Sequence, residues 1–179
     1  MEDKIKYSNL VSKKGKNLKV DLLGLSKSEI VKILIKHNLP KFRASQLWNW
    51  IYRTGVSDFN QMSNISKDLQ RNLSETFFIS RPLIVSSKIS DDGTIKWLLK
   101  LNDGNEIETV WIPDNNRGTL CISSQVGCAL DCKFCSTAQQ GFSRNLKTSE
   151  IIGQVWLANK VLGYFKNKKR IEEYPASQI

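Results

Sequence analysis

Four cysteines fall within fifteen residues: Cys121, Cys128, Cys132 and Cys135. The tight set is Cys128-Ala-Leu-Asp-Cys132-Lys-Phe-Cys135. In a reducing compartment such clustering points to metal or redox chemistry rather than to disulfides. Three thiolates on one short loop can hold three corners of a [4Fe–4S] cube and leave the fourth iron open to a small molecule, whereas four-cysteine ligation leaves no such opening. Structural zinc asks for a closed tetrahedron. Cys121 could complete one, but it belongs to a predicted strand ahead of the loop. Chance clustering is the third reading, and spacing alone leaves all three open.

The rest of the 179 residues bounds what such a loop can serve. Apolar residues make up 40% and charged residues 25%, enough to bury a core. No apolar run approaches the roughly 20 residues needed to span a bilayer. The Lys-rich start does not read as a secretory signal, so the expectation is a soluble cytoplasmic protein. The 27 Lys and Arg outnumber the 17 Asp and Glu, giving a net charge of +10. The excess is uneven: residues 1–20 carry six Lys and two acids, and residues 133–170 carry eight bases and one acid. Such a balance favours a polyanion such as RNA, because Lys and Arg release counterions from phosphates. The plainer alternative is a solvated basic surface.

The elements that must position the cysteines follow from periodicity. Residues 1–20 read as a loose basic arm. Ser26 and Glu29 have capping-box spacing. Ile30, Ile33, Leu34 and His37 then make one helical face, stopped by Asn38 and Pro40. A second helix places Ala44, Leu47, Trp48 and Ile51 together, with Phe42 and Trp50 to the side and Gly55 as its C-cap. A third runs from Ser66 to Phe77. Together they form a small helical domain over residues 21–80. After Pro82 the period changes: 83–89, 94–101, 105–112 and 118–124 are strand-like. Asp91-Asp92-Gly93, Asn102-Asp103-Gly104 and Asp114-Asn115-Asn116 supply the turns. A last helix, from Thr148 to about Phe165, presents Ile151, Val155, Ala158 and Leu162, with Ile152 and Trp156 beside them. The fold class is α+β: the helical domain, a short antiparallel sheet over 81–113, and a strand–loop–helix unit opening at 114.

An aromatic, Phe134, precedes the last cysteine, and the loop lies between a predicted strand and a helix. This resembles the radical S-adenosylmethionine (SAM) superfamily. The stretch from Thr119 to Trp156 is far more specific, including Gln125-Val-Gly-Cys-Ala-Leu-Asp-Cys-Lys-Phe-Cys-Ser-Thr-Ala-Gln-Gln-Gly-Phe-Ser-Arg-Asn-Leu146. It resembles the bacterial dual-specificity RNA methyltransferases of the RlmN family. Phe42-Arg-Ala-Ser-Gln-Leu-Trp-Asn-Trp-Ile-Tyr52, Asp92-Gly-Thr-Ile-Lys-Trp97 and Glu108-Thr-Val-Trp-Ile-Pro113 are similar to that family too. The likeness runs from about residue 20 to about 165.

The resemblance implies methylation of carbon 2 of an adenine in 23S rRNA and in tRNA, with a [4Fe–4S] cluster and SAM as cofactors. It implies that Cys128, Cys132 and Cys135 ligate the cluster. It matches Glu108 to the family's proton acceptor and Cys121 to the thiol that resolves the product. As residues alone, Glu108 is a solvent-facing strand carboxylate beside Glu106, and Cys121 a small buried strand residue. The helical domain resembles the family's RNA-binding accessory domain. Lys41, Arg43, Trp50 and Arg53 are candidates for RNA contact by charge and stacking, while Trp48 reads as core. Gly141-Phe-Ser-Arg144 is expected to shape the cysteine loop without a catalytic role. An electron-donor protein is an implied partner, and the chain is expected to be a monomer.

A radical SAM barrel needs several strand–helix units, and only one is recognisable here. The family's methyl-bearing cysteine is also missing downstream of Cys135. The expectation is therefore the N-terminal half of such an enzyme, without methylating activity of its own; the alternative is a non-catalytic remnant or module that binds RNA or metal.

Overall fold

The computed structural model describes residues 11–13, 18–115, 117–128 and 141–165. Strand β1 (Val11–Lys13) pairs antiparallel with β2 (Leu18–Asp21). β2 in turn pairs parallel with β3 (Phe77–Phe78), which follows the third helix. The expectation of a loose arm through residue 20 is thus corrected. Val20 lies opposite Phe77, a pairing across 57 residues that no local pattern announces.

Helix α1 (Lys27–Lys36) begins at the expected capping box: Glu29 N–H donates to Ser26 Oγ, and Ser26 N–H to Glu29 Oε2 at 2.8 Å. Ile30, Ile33 and Leu34 are buried, and His37 packs edge-on against Phe77 at 5.1 Å. The second expected helix divides. Helix α2 (Arg43–Trp48) is followed by a π-helical turn over Asn49–Arg53. Ala44, Leu47 and Ile51 remain on the buried side, while Trp48 is partly exposed and lies against Tyr52, 4.2 Å between rings. Helix α3 (Lys67–Thr76) buries Leu73 and Gln70.

Beyond Pro82, β4 (Leu83–Ile89), β5 (Ile95–Lys100), β6 (Glu106–Asp114) and β7 (Arg117–Cys121) form one antiparallel sheet in sequence order. The Asp-Gly turns form as expected; Asp92 and Asp103 accept the N–H groups of Thr94 and Asn105. Ladder partners share a face, and alternation does the rest. Ile95, Trp97, Leu99, Ile107 and Thr109 form the buried side.

The fourth strand changes the expected boundary at residue 114. Segment 117–121 closes the hairpin sheet on β6 instead of opening a separate unit. The chain then leaves the ladder and forms a short antiparallel pair, β8 (Gln125–Gly127) with β9 (Phe142–Asn145). Among the described residues, then, the cysteine segment is bracketed by a hairpin.

Helix α4 (Thr148–Val161) is buried along a broader surface than its apolar stripe suggested. Gly153, Gln154, Trp156, Leu157, Ala158 and Val161 are buried, while Ile151, Val155 and Leu162 are only partly so. The face is turned because Gln154 is polar yet fully paired. Its Oε1 accepts from Thr109 Oγ1 and Ser123 N, both at 2.8 Å, and its Nε2 donates to Ser123 O at 2.9 Å. Trp156 Nε1 donates to Ile51 O at 2.8 Å, fixing α4 to the helical region. Gly55, in the left-handed region at φ +67°, meets the Phe165 ring where any Cβ would clash at 2.2 Å. Gln154→Leu keeps the volume but orphans a buried hydroxyl and an N–H. The expected cost is about 2–4 kcal/mol, read as a lowered urea midpoint.

Asp21 is the buried acid of the helical region. Its Oδ1 accepts from Leu23 N and Ser80 N at 3.0 Å each. Burial nevertheless raises its pKa above 3.8, outweighing hydrogen bonds from Ser80, Leu23 and Ser149. A raised carboxyl pKa favours the neutral folded form, so this group's contribution is greatest below pH 3.8 and declines as pH rises through the folded value. Asp21→Asn keeps the acceptor oxygen. It should flatten that decline and raise the thermal midpoint at pH 7 relative to wild type, with little gain at pH 3.

Candidate active site

The outward face of the hairpin sheet carries the residues that could do chemistry. Glu108 lies opposite Leu98, and Val110 lies opposite both Lys96 and Cys121. Glu108 and Val110 are two apart on β6. Lys96, Glu106, Glu108 and Cys121 therefore share one side of the sheet. Strand alternation alone puts Glu106 with Glu108; only the β6–β7 register brings Cys121 to them. Cys121 is exposed, so its alternative as a small buried strand residue does not hold.

Glu108 is half-exposed and forms an ion pair with Lys96, 3.0 Å between Oε1 and Nζ. Its backbone carbonyl accepts from Ser123 Oγ at 2.8 Å, tying β6 to the chain that leads into the cysteine segment. Lys96 and Ser123 escaped the sequence reading. A Lys at the diagonal position across an Asp-Gly hairpin was the available signal for the first.

The cysteine segment is joined at its ends. Cys128 N donates to Gly141 O at 3.1 Å. Gly127 has φ +72°, and a Cβ there would lie 1.7 Å from Gly141 O. Only glycine permits so close a neck. Cys128, partly exposed, therefore sits at the base of the segment, while Cys132 and Cys135 lie outside the described residues. Gly127, Gly141 and Ser143 form one wall of a concavity of about 710 Å³, and Lys96, Glu106 and Glu108 line another. The carboxylate thus faces the space beside the neck.

Arg144 locks the exit arm. Its guanidinium bonds to both oxygens of Glu150, at 2.7 and 2.8 Å, and to Asp103 Oδ2 through Nε at 2.9 Å. The Glu150 hydrogen bonds raise its pKa further, against the effect of burial, and Asp103 adds to the rise. Burial alone would raise the Asp103 carboxyl, but Arg144 and Asn105 together hold it below 3.8. In the Gly141–Arg144 stretch one cation thus joins a hairpin turn, β9 and the start of α4.

The RNA candidates separate. Lys41 and Arg53 are exposed. Arg43 is partly buried and bonds to Gln46 Oε1 at 2.7 Å. Trp50 is partly buried, and its indole N–H is taken by Asn64 Oδ1 at 2.6 Å.

Residues 20–79 match the family model described as the ribosomal RNA large subunit methyltransferase N-terminal domain. The dual-specificity RNA methyltransferase RlmN of Buchnera aphidicola subsp. Schizaphis graminum is 48% identical over 153 residues, 86% of this chain. The chain resembles the RlmN methyltransferases. It spans 42% of the length of that relative. A radical SAM methyltransferase from Sphaerobacter thermophilus, a crystal structure, superposes with a TM-score of 0.72 at 37% identity, covering 77% of this chain and 41% of that one. The likeness to RlmN is thus one of sequence, and the mixed α/β architecture is similar to that of a solved radical SAM methyltransferase.

The Gly127–Gly141 neck gives a direct test. Gly127→Ala should force the neck apart and weaken the thiolate charge-transfer bands of cobalt(II) bound to the reduced chain by at least severalfold. Gly104→Ala, with open space around its Cβ, serves as the control for left-handed strain elsewhere.

Proposed function

We propose that this chain supplies the RNA-binding and cysteine-loop portion of a radical SAM enzyme that methylates carbon 2 of adenine in 23S rRNA and tRNA. One observation carries the proposal: Glu108 and Cys121 share a sheet face, and Glu108 lines the concavity beside the joined ends of the cysteine segment. The donor set fits the cofactors. Cys128, Cys132 and Cys135 would hold a [4Fe–4S] cluster, leaving one iron for the amino and carboxylate groups of SAM. Bound together, cluster and SAM supply radical chemistry able to act at a carbon whose C–H is too weakly acidic for ordinary methylation.

This chain's residues then handle positioning and protons. Glu108 accepts the proton lost from carbon 2 of the adenine. Lys96, 3.0 Å away, holds the carboxylate in place beside the concavity through their ion pair. The exposed Cys121 thiol, on the same face, is the group that releases the product. The basic helical region holds the RNA. The strand–hairpin–helix order around the cysteines is consistent with the opening unit of a (β/α) barrel. An electron-donor protein is the implied redox partner. Among the described residues, no helix is long and apolar enough to cross a membrane.

Anaerobic reconstitution with iron and sulfide tests the cofactor assignment. The chain should take up iron with the broad visible absorption of a thiolate-bound cluster. Cys128→Ala should lose most of that absorption, and Glu108→Gln should keep it. Tight tetrahedral zinc through all four cysteines, with no iron uptake, would overturn the assignment.

A further inference from the structure

From Ile30 to Ser57 the chain carries Lys32, Lys36, Lys41, Arg43 and Arg53, and no Asp or Glu. This stretch is α1, its connector and α2 with the π-helical turn. Lys32, Lys36, Lys41 and Arg53 are exposed. Folding leaves two large apolar side chains of the same stretch in solvent, Ile35 and Phe42, each 56% exposed. Phe42 is more than an unburied ring. The Arg43 guanidinium lies over it, 4.7 Å from the ring centroid. That arginine is itself anchored by Gln46. The ring is thus backed by a fixed cation while more than half of its surface stays open.

We propose that Phe42 is a stacking platform for one unpaired nucleobase of RNA, with Lys41 and Arg53 neutralising the adjoining phosphates. The proposal rests on the RNA-methyltransferase reading above and names a site within it. The chemistry is the usual one for single-stranded RNA. A π-face gives sequence-tolerant stacking, and flanking cations track the backbone. Stacking a base on Phe42 would extend the guanidinium–ring pair by one layer. Trp50 is the less suitable ring, since its N–H is held by Asn64 and its face is partly covered. The stretch itself carries no carboxylate that would repel phosphate.

The test uses the whole chain and a short single-stranded RNA containing 2-aminopurine at low salt. Binding should quench the fluorophore. Phe42→Leu should weaken affinity roughly tenfold and abolish the quench. Its thermal midpoint and the dependence of affinity on salt should stay unchanged, because the phosphate contacts remain. Phe42→Trp should restore both affinity and quench. Lys41→Met with Arg53→Met should instead reduce the salt slope. Wild-type binding that Phe42→Leu leaves intact overturns the platform while the RNA reading stands. Equal affinity for double-stranded RNA without quench does the same. Failure of the wild type to bind any RNA overturns both.

Discussion

The carboxamide of Gln154 stands where three parts of the molecule meet. Its oxygen takes a hydroxyl proton from Thr109 on β6 and the N–H of Ser123, and its nitrogen returns a proton to Ser123 O. An amide is suited to this because it accepts and donates from one planar group. A carboxylate could only accept, and an aliphatic side chain would leave Thr109 and Ser123 unpaired in the interior. Through this one side chain α4 is held to the sheet and to the strand exit that leads toward the cysteines. The geometry of the candidate site depends on that junction.

From there the constraints run outward in both directions. Ser123 Oγ also bonds to the carbonyl of Glu108, so the residue that meets Gln154 also fixes the backbone carrying the candidate proton acceptor. On the far side of the cysteine segment, Arg144 joins Asp103, Glu150 and β9. Entry and exit arms are thus tied separately and then joined at the Gly127–Gly141 neck. This closure fixes where the two ends of the segment lie. The helical region is attached by a different contact, the Trp156 indole on the Ile51 carbonyl. That contact ties the helical region to the helix that packs on the sheet bearing Glu108.

Much of this was legible in the residues themselves. The Ser26–Glu29 capping box, the apolar face that follows it and the Asp-Gly turns are local signals that formed, while the second helical stripe divided into an α-helix and a π-helical turn. Strand alternation placed Glu106 and Glu108 together. The cysteine spacing, with the surrounding motif, pointed to the RlmN relative found similar in sequence and to the radical SAM methyltransferase found similar in fold. These features were readable because each depends on neighbours within a few residues, where sequence distance and spatial distance agree.

What only the tertiary structure decided lies at long sequence separation. The pairing of β2 with β3 turned an expected arm into sheet, because Val20 finds its partner at Phe77. The β6–β7 register put Cys121 on the Glu108 face. A shift of one residue would have sent it to the other side. Gln154 broke the apolar pattern of α4, since hydrophobic periodicity cannot foresee a polar group whose partners lie on another element. Phe42 and Trp50 could not be ranked from sequence, both being aromatics near Lys and Arg. Burial and the Asn64 hydrogen bond withdrew one and left the other exposed. The sequence by itself therefore determined which groups could act. Packing decided which of them meet, because register, burial and pairing are properties of surfaces brought together from distant parts of the chain.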